Sequence, residues 1–155
     1  MANSSYVDIL LVEHSSGDIR LLYDALEEID GKPGIIPVRD GVEAMQFLRR
    51  EAPFEDAPRP RIIMLDLNLP GKDGRTVLKE IKSDPALAIT PVIIFSVSDA
   101  PNDILTCYAA YANCYIVKPR NLYGFTETVR SLVDFWLRKA TLPPEGPDSS
   151  KAAVG

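Results

Sequence analysis

Four polar side chains close apolar runs in this sequence at places where they can do chemistry. Glu13 follows VDILLV, Asp66 follows RIIML, Ser96 ends VIIFS and Lys118 ends CYIVK. Two carboxylates a few ångströms apart repel, which raises their pKa values unless a cation sits between them. A divalent ion answers that, and Mg²⁺ characteristically takes one or two protein carboxylates plus waters and phosphate oxygens. An adjacent lysine supplies a point charge for phosphoryl oxygens, and a serine hydroxyl can donate to another. Such parts suit a carboxylate that attacks phosphorus and becomes an aspartyl phosphate. Singly, each has a plainer reading. Asp66 can cap the turn that leads to Pro70-Gly71, Ser96 can cap a helix, and Lys118 can be a strand-end charge that snorkels to water. The chemistry depends on whether the fold brings them together.

The elements that must do so are visible as alternation. Strand-length runs at 7–12, 34–38, 61–66, 92–96 and 114–118 are each bounded by turn residues. Helical periods lie between them: Ile19, Leu22, Leu26 and Ile29 after Ser15/Ser16, with Asp18 in the first turn; Val42, Met45, Phe47 and Leu48; Val77, Leu78 and Ile81; Ile104, Leu105 and Tyr108; and finally Leu122, Phe125, Val129, Val133 and Trp136. Strict strand-helix alternation means crossover units and a parallel sheet covered on both faces, an α/β fold. Proline confines its strand to a sheet edge, so Pro37 puts the second run there. A doubly wound, flavodoxin-like five-stranded parallel sheet in the order 2-1-3-4-5 does this, and its ligands bind at the carboxyl ends of the strands. Glu13, His14, Asp66, Ser96 and Lys118 all belong to those ends.

Composition excludes other classes. The chain has 155 residues, 46% hydrophobic and 25% charged, as expected of one globular domain with a real core. A net charge of −5, with no basic cluster beyond Arg49-Arg50, argues against nucleic acid as a partner. No apolar stretch approaches a membrane span and the N-terminus lacks a cleavable signal, so no membrane role is expected and the cytoplasm is the expected compartment. Cys107 and Cys114 lack metal-ligand spacing and read as reduced packing residues.

ILLVE at the end of the first run, MLDLNLPGKDG around Asp66, FSVSDA after the fourth and YIVKP at the fifth together resemble the receiver domain of two-component response regulators. The resemblance covers roughly residues 6–140, followed by a polar tail at 141–155 that reads as disordered. It implies that Asp66 is the phosphoacceptor, fed by a phosphohistidine on a sensor histidine kinase. Asn68 would lend its backbone carbonyl to Mg²⁺, and Glu13 and Asp66 their carboxylates. Ser96 and Lys118 would contact the phosphoryl group, and Tyr115 would be the aromatic switch that turns inward. Lys118-Pro119 resembles the family's cis peptide, although cis is the minority state of such bonds.

One position departs from the family pattern. Two consecutive acids usually follow the first strand, and here the pair is Glu13-His14. With neutral His14, the carboxylates of Glu13 and Asp66 against the Lys118 ammonium leave one negative charge instead of two, and imidazole is a poor ligand for hard Mg²⁺. Weakened Mg²⁺ affinity is expected. A protonated His14 standing in for part of the metal charge is a second reading, and a loop hydrogen bond a third.

The tail is too short for an output domain, so the signal is expected to leave through a surface. The final helical stripe, widened by Leu132 and Phe135 beside Trp136, is wider than packing on a sheet requires and is expected to meet a partner. NCYIVKPRNL and FWLRKATLP also resemble stand-alone receivers that partner phytochrome-type kinases. That resemblance implies a bacteriophytochrome partner and a homodimer through the face of the fourth helix, fifth strand and fifth helix. The expected function is phosphorelay signalling rather than enzyme catalysis. A docking module that keeps the fold without being phosphorylated is the alternative, and a flavodoxin-like redox protein would leave Asp66 and Lys118 without a role.

Overall fold

The computed structural model describes residues 5–145. Each apolar run forms a strand: β1 (Tyr6–Val12), β2 (Ile35–Val38), β3 (Arg59–Leu65), β4 (Val92–Ser96) and β5 (Cys114–Val117). Between and after them lie α1 (Ser16–Glu27), α2 (Gly41–Arg49), α3 (Gly74–Ser83), α4 (Pro101–Ala109) and α5 (Leu122–Val133). The strands pair in parallel in the order β2-β1-β3-β4-β5. Pro37 sits on the edge strand opposite Leu11. Pro60 is tolerated in central β3 because β4 joins only from Ile63, so Pro60 has β1 as its one paired neighbour.

Alternation along the strands builds a core on each face. Leu10, Val12, Ile63, Leu65 and Ile94 meet α2 and α3 on one side. Ile9, Leu11, Ile62, Met64, Ile93 and Phe95 meet α1 and α5 on the other. The starts of α1, α2, α3 and α5 are capped by side chains: Ser15 Oγ accepts from the Asp18 N–H, Asp40 from Glu43, Asp73 from Arg75 and Asn121 from Gly124.

Several expectations are corrected. Leu132, expected on a partner surface, is buried in the core beside Val129 and Val133. Residues three and four apart share a helix face, so Leu132 belongs to the inward stripe. Trp136 is half-buried against the same core, and only Phe135 of the three is exposed, at 54%. Both lie in a π-helical continuation, Asp134–Lys139, whose wider turn changes the phase of the stripe. Leu122, the first residue of the expected apolar stripe, is 63% exposed. In α4 the buried residue is Cys107, whereas Leu105 and Tyr108 face water. The cis X-Pro bond among the described residues is Ala52-Pro53, so Lys118-Pro119 keeps the majority trans state and not the cis peptide that the family resemblance implied. In the expected tail, residues 141–145 form no helix or strand, although Leu142 packs partly against the core, and 146–155 lie outside the described residues.

Candidate functional site

Three backbone hydrogen bonds bring the polar strand ends to one edge of the sheet. The Glu13 N–H donates to Val38 O, that of Asp66 to Val12 O, and that of Lys118 to Ser96 O at 2.7 Å. Among the described residues, the buried polar or charged ones are Glu13, Asp66, Ser96 and Lys118. Burying four such groups costs free energy unless they satisfy one another. Glu13 and Asp66 do so with Lys118, whose Nζ donates to Glu13 Oε1 at 2.5 Å, to Asp66 Oδ2 at 3.1 Å and also to the less buried Asp18 Oδ2 at 2.7 Å, and lies 5.7 Å from the centre of the Phe95 ring. Every described buried side-chain nitrogen or oxygen has a partner.

The electrostatics follow from three carboxylates sharing one ammonium. Burial alone would lower the Lys118 pKa, but bonds to Asp18 and Glu13, with Asp66 nearby, hold it above its ordinary value. Burial pushes Glu13 up to about 7; Lys118 opposes the rise and neighbouring Asp66 adds to it. The lysine therefore stays charged, and Glu13 is the carboxyl that readily holds a proton when no further cation is present.

Around this centre the loops are fixed locally. The Asn68 N–H donates to Asp66 Oδ1 at 3.3 Å. Gly74 opens α3 directly against the end of β3. A Cβ there would fall 2.2 Å from Asp66 O and 2.6 Å from Leu67 Cα, so glycine is required for this close approach. Ser96 Oγ accepts from the Ser98 N–H, and half-buried Tyr115 donates its hydroxyl to Ser98 O at 2.8 Å. Ser98 in turn donates to Asp103, which also holds Arg75. A continuous polar chain thus joins Tyr115 on β5 to the starts of α4 and α3.

A model of the response regulator receiver domain matches residues 9–130. The chain belongs to this family. The receiver is 44% identical over 135 residues to "Response regulator Rcp1" of Synechocystis sp., covering 87% of this chain and 92% of that one. Among solved structures it is similar to a phosphorylated cyanobacterial phytochrome response regulator, RcpA, with 47% identity, a TM-score of 0.86 and coverage of 90% of this chain and 99% of that one. It is also similar to the Mn²⁺-bound form of Rcp1, with 43% identity, a TM-score of 0.85 and coverage of 89% and 99%. No described helix of the receiver is long and apolar enough to cross a membrane.

The receiver's donor set suits the divalent ion its family binds. The oxygens gathered at the strand ends are hard ligands, and the Lys118 ammonium marks the point at which they already hold a cation. Among the described residues there is no preformed cage of three or more acid, histidine or cysteine ligands. Carboxylates closed around an ammonium leave none, and Mg²⁺ needs only one or two of them besides water. His14 is exposed, and its role in the structure is a backbone one. Its carbonyl accepts from Arg39 at 2.7 Å, while the same guanidinium nitrogen reaches Ser16 Oγ.

Two groups went unassigned in the sequence. Asp18 reads there only as a first-turn acid of a helix, and Arg39 is not singled out. The available signal was topological: a helix that starts immediately after a strand's carboxyl end sets its first turn at the ligand edge.

Proposed function

We propose that this receiver takes a phosphoryl group from a sensor histidine kinase onto Asp66 and signals by changing its association with proteins. The observation that carries the reading is Asp66 Oδ2 lying 3.1 Å from buried, charged Lys118 at the sheet's ligand edge. An Asp66 oxygen attacks phosphorus, an O–P bond forms, the N–P bond to the donor imidazole breaks, and the leaving nitrogen takes up a proton. Lys118 would accompany the transferred oxygens as a fixed positive charge, and the Ser96 hydroxyl would turn to donate to one of them. Glu13, Asp66 and the Asn68 carbonyl would hold Mg²⁺, which when bound offsets negative charge on the phosphoryl oxygens. Tyr115 would follow Ser96 through their shared neighbour Ser98.

Similarity to phytochrome response regulators supports a phytochrome-type kinase as donor. For the outgoing signal, the face of α4, β5 and α5 carries exposed Leu105, Tyr108, Tyr111, Val117, Leu122 and Tyr123. Apolar surface of this kind favours a partner, and we assign it to a homodimer. Leu105→Glu is expected to shift the phosphorylated protein toward monomer in sedimentation velocity while leaving phosphorylation intact; an unchanged dimer would exclude this face.

The acceptor reading is tested by intact mass after incubation with a small phosphodonor, with and without Mg²⁺. Addition of one phosphoryl group that disappears in Asp66→Asn and without metal is the expected result. No addition under any condition, including with the kinase, would favour a docking module that is not phosphorylated.

A further inference from the structure

Asp18 is the group the site contains and the acceptor reading does not use. Its Oδ2 lies 2.7 Å from Lys118 Nζ, closer than that of Asp66. Its position is built rather than incidental. The Glu13 carboxylate accepts from the Ser15 N–H at 3.1 Å, and Ser15 Oγ accepts from the Asp18 N–H at 3.1 Å, so two bonds tie Asp18 to the end of β1. Arg39 holds the His14 carbonyl and Ser16 on the outer side of the same loop. The side chain of Asp18 is 30% exposed, open enough to meet a hydrated ion and close enough to share the ammonium.

We propose that Asp18 supplies the second acid of the divalent-cation site that residue 14 lacks. This rests on the reading of the site as a metal-dependent phosphoacceptor. With Asp18 included, and with Glu13 ionised as a bound cation would keep it, three carboxylates face one ammonium and two negative charges remain, the count of a receiver with consecutive acids after β1. The weakened Mg²⁺ affinity expected from Glu13-His14 is therefore replaced by ordinary affinity, because charge count at the site governs the binding of hard ions. The first turn of α1 does what the strand-end residue does elsewhere in the family.

The test uses the unphosphorylated full chain and Mn²⁺ binding read from the paramagnetic signal of the free ion, with Mg²⁺ as competitor. Asp18→Asn, which preserves side-chain shape, is expected to weaken binding roughly tenfold or more. His14→Asp is expected to leave the wild type nearly unchanged but to restore binding in the Asp18→Asn background. Asp18 could instead act only by neutralising Lys118, so the pair is also compared with Lys118→Met present. A further loss from Asp18→Asn in that background supports direct action on the ion, and no further loss overturns it. Asp18→Asn that binds like wild type overturns the role of Asp18 alone. A wild type that binds no Mn²⁺ overturns the metal reading of the whole site, and this inference with it.

Discussion

Replacing Lys118 with methionine is expected to destabilise the metal-free protein by about 3 kcal/mol, the low end for removing one partner of a buried ion pair because Asp18 is partly open to water. Among the described residues, the ammonium is the cation bonded to Glu13, Asp18 and Asp66. Without it three carboxylates face one another at a buried edge. Protonation of Glu13, whose pKa already stands near 7, would limit the loss without removing it. Excess Mg²⁺ should return much of the stability, since a dication can take the ammonium's place among the same oxygens. Phosphorylation should not return, because the charge that follows the transferred oxygens is missing. Denaturant unfolding in chelator and in Mg²⁺, beside intact mass after phosphodonor treatment, checks both halves. Equal stability in the two buffers with full phosphorylation would contradict the role given to Lys118.

The second large effect concerns a residue with no polar side chain. Gly74→Ala places a methyl group 2.2 Å from the carbonyl oxygen of Asp66 and 2.6 Å from the Cα of Leu67. Both neighbours are backbone, so neither can swing aside. Either α3 lifts away from β3 or the acceptor loop moves. Overpacking of this kind costs about 1–3 kcal/mol and sometimes more, and here it falls on the backbone that aims Asp66. Both a lower unfolding midpoint and slower phosphorylation are expected. Gly71→Ala is the contrast: it has open space for a Cβ but a φ of +70°, so strain without displacement of Asp66 should cost stability and spare the acceptor. An unaltered phosphorylation rate in Gly74→Ala would show that α3 yields and the acceptor loop does not.

What could be read from the sequence follows from how strongly each feature constrains its neighbours. The strands were legible because their runs are apolar and each meets a polar residue where the sheet ends, and Pro37 restricted the order. Glu13, Asp66, Ser96 and Lys118 were found for the same reason. Helix faces were harder. In α4 the pairs Ile104/Cys107 and Leu105/Tyr108 have the same spacing one residue apart, so periodicity cannot choose between them; packing buries Cys107. Leu132 was placed outside although Val129 and Val133 place it within their own face, and the π-helical continuation after Val133 has no periodic signature in six residues. Asp18 escaped because a first-turn acid is explained sufficiently by the helix dipole. Only the packing of α1 against the strand ends reveals that this carboxylate also faces Lys118.

The claim that Asp66 accepts phosphorus is tested most directly by finding where the phosphoryl group resides. The receiver would be phosphorylated in Mg²⁺, reduced with borohydride, which converts an aspartyl phosphate to homoserine, and digested for peptide mass spectrometry. Homoserine at position 66, absent when metal is withheld, is the predicted result. Homoserine at Asp18 or another carboxylate, or its absence despite a competent kinase and metal, would contradict the account.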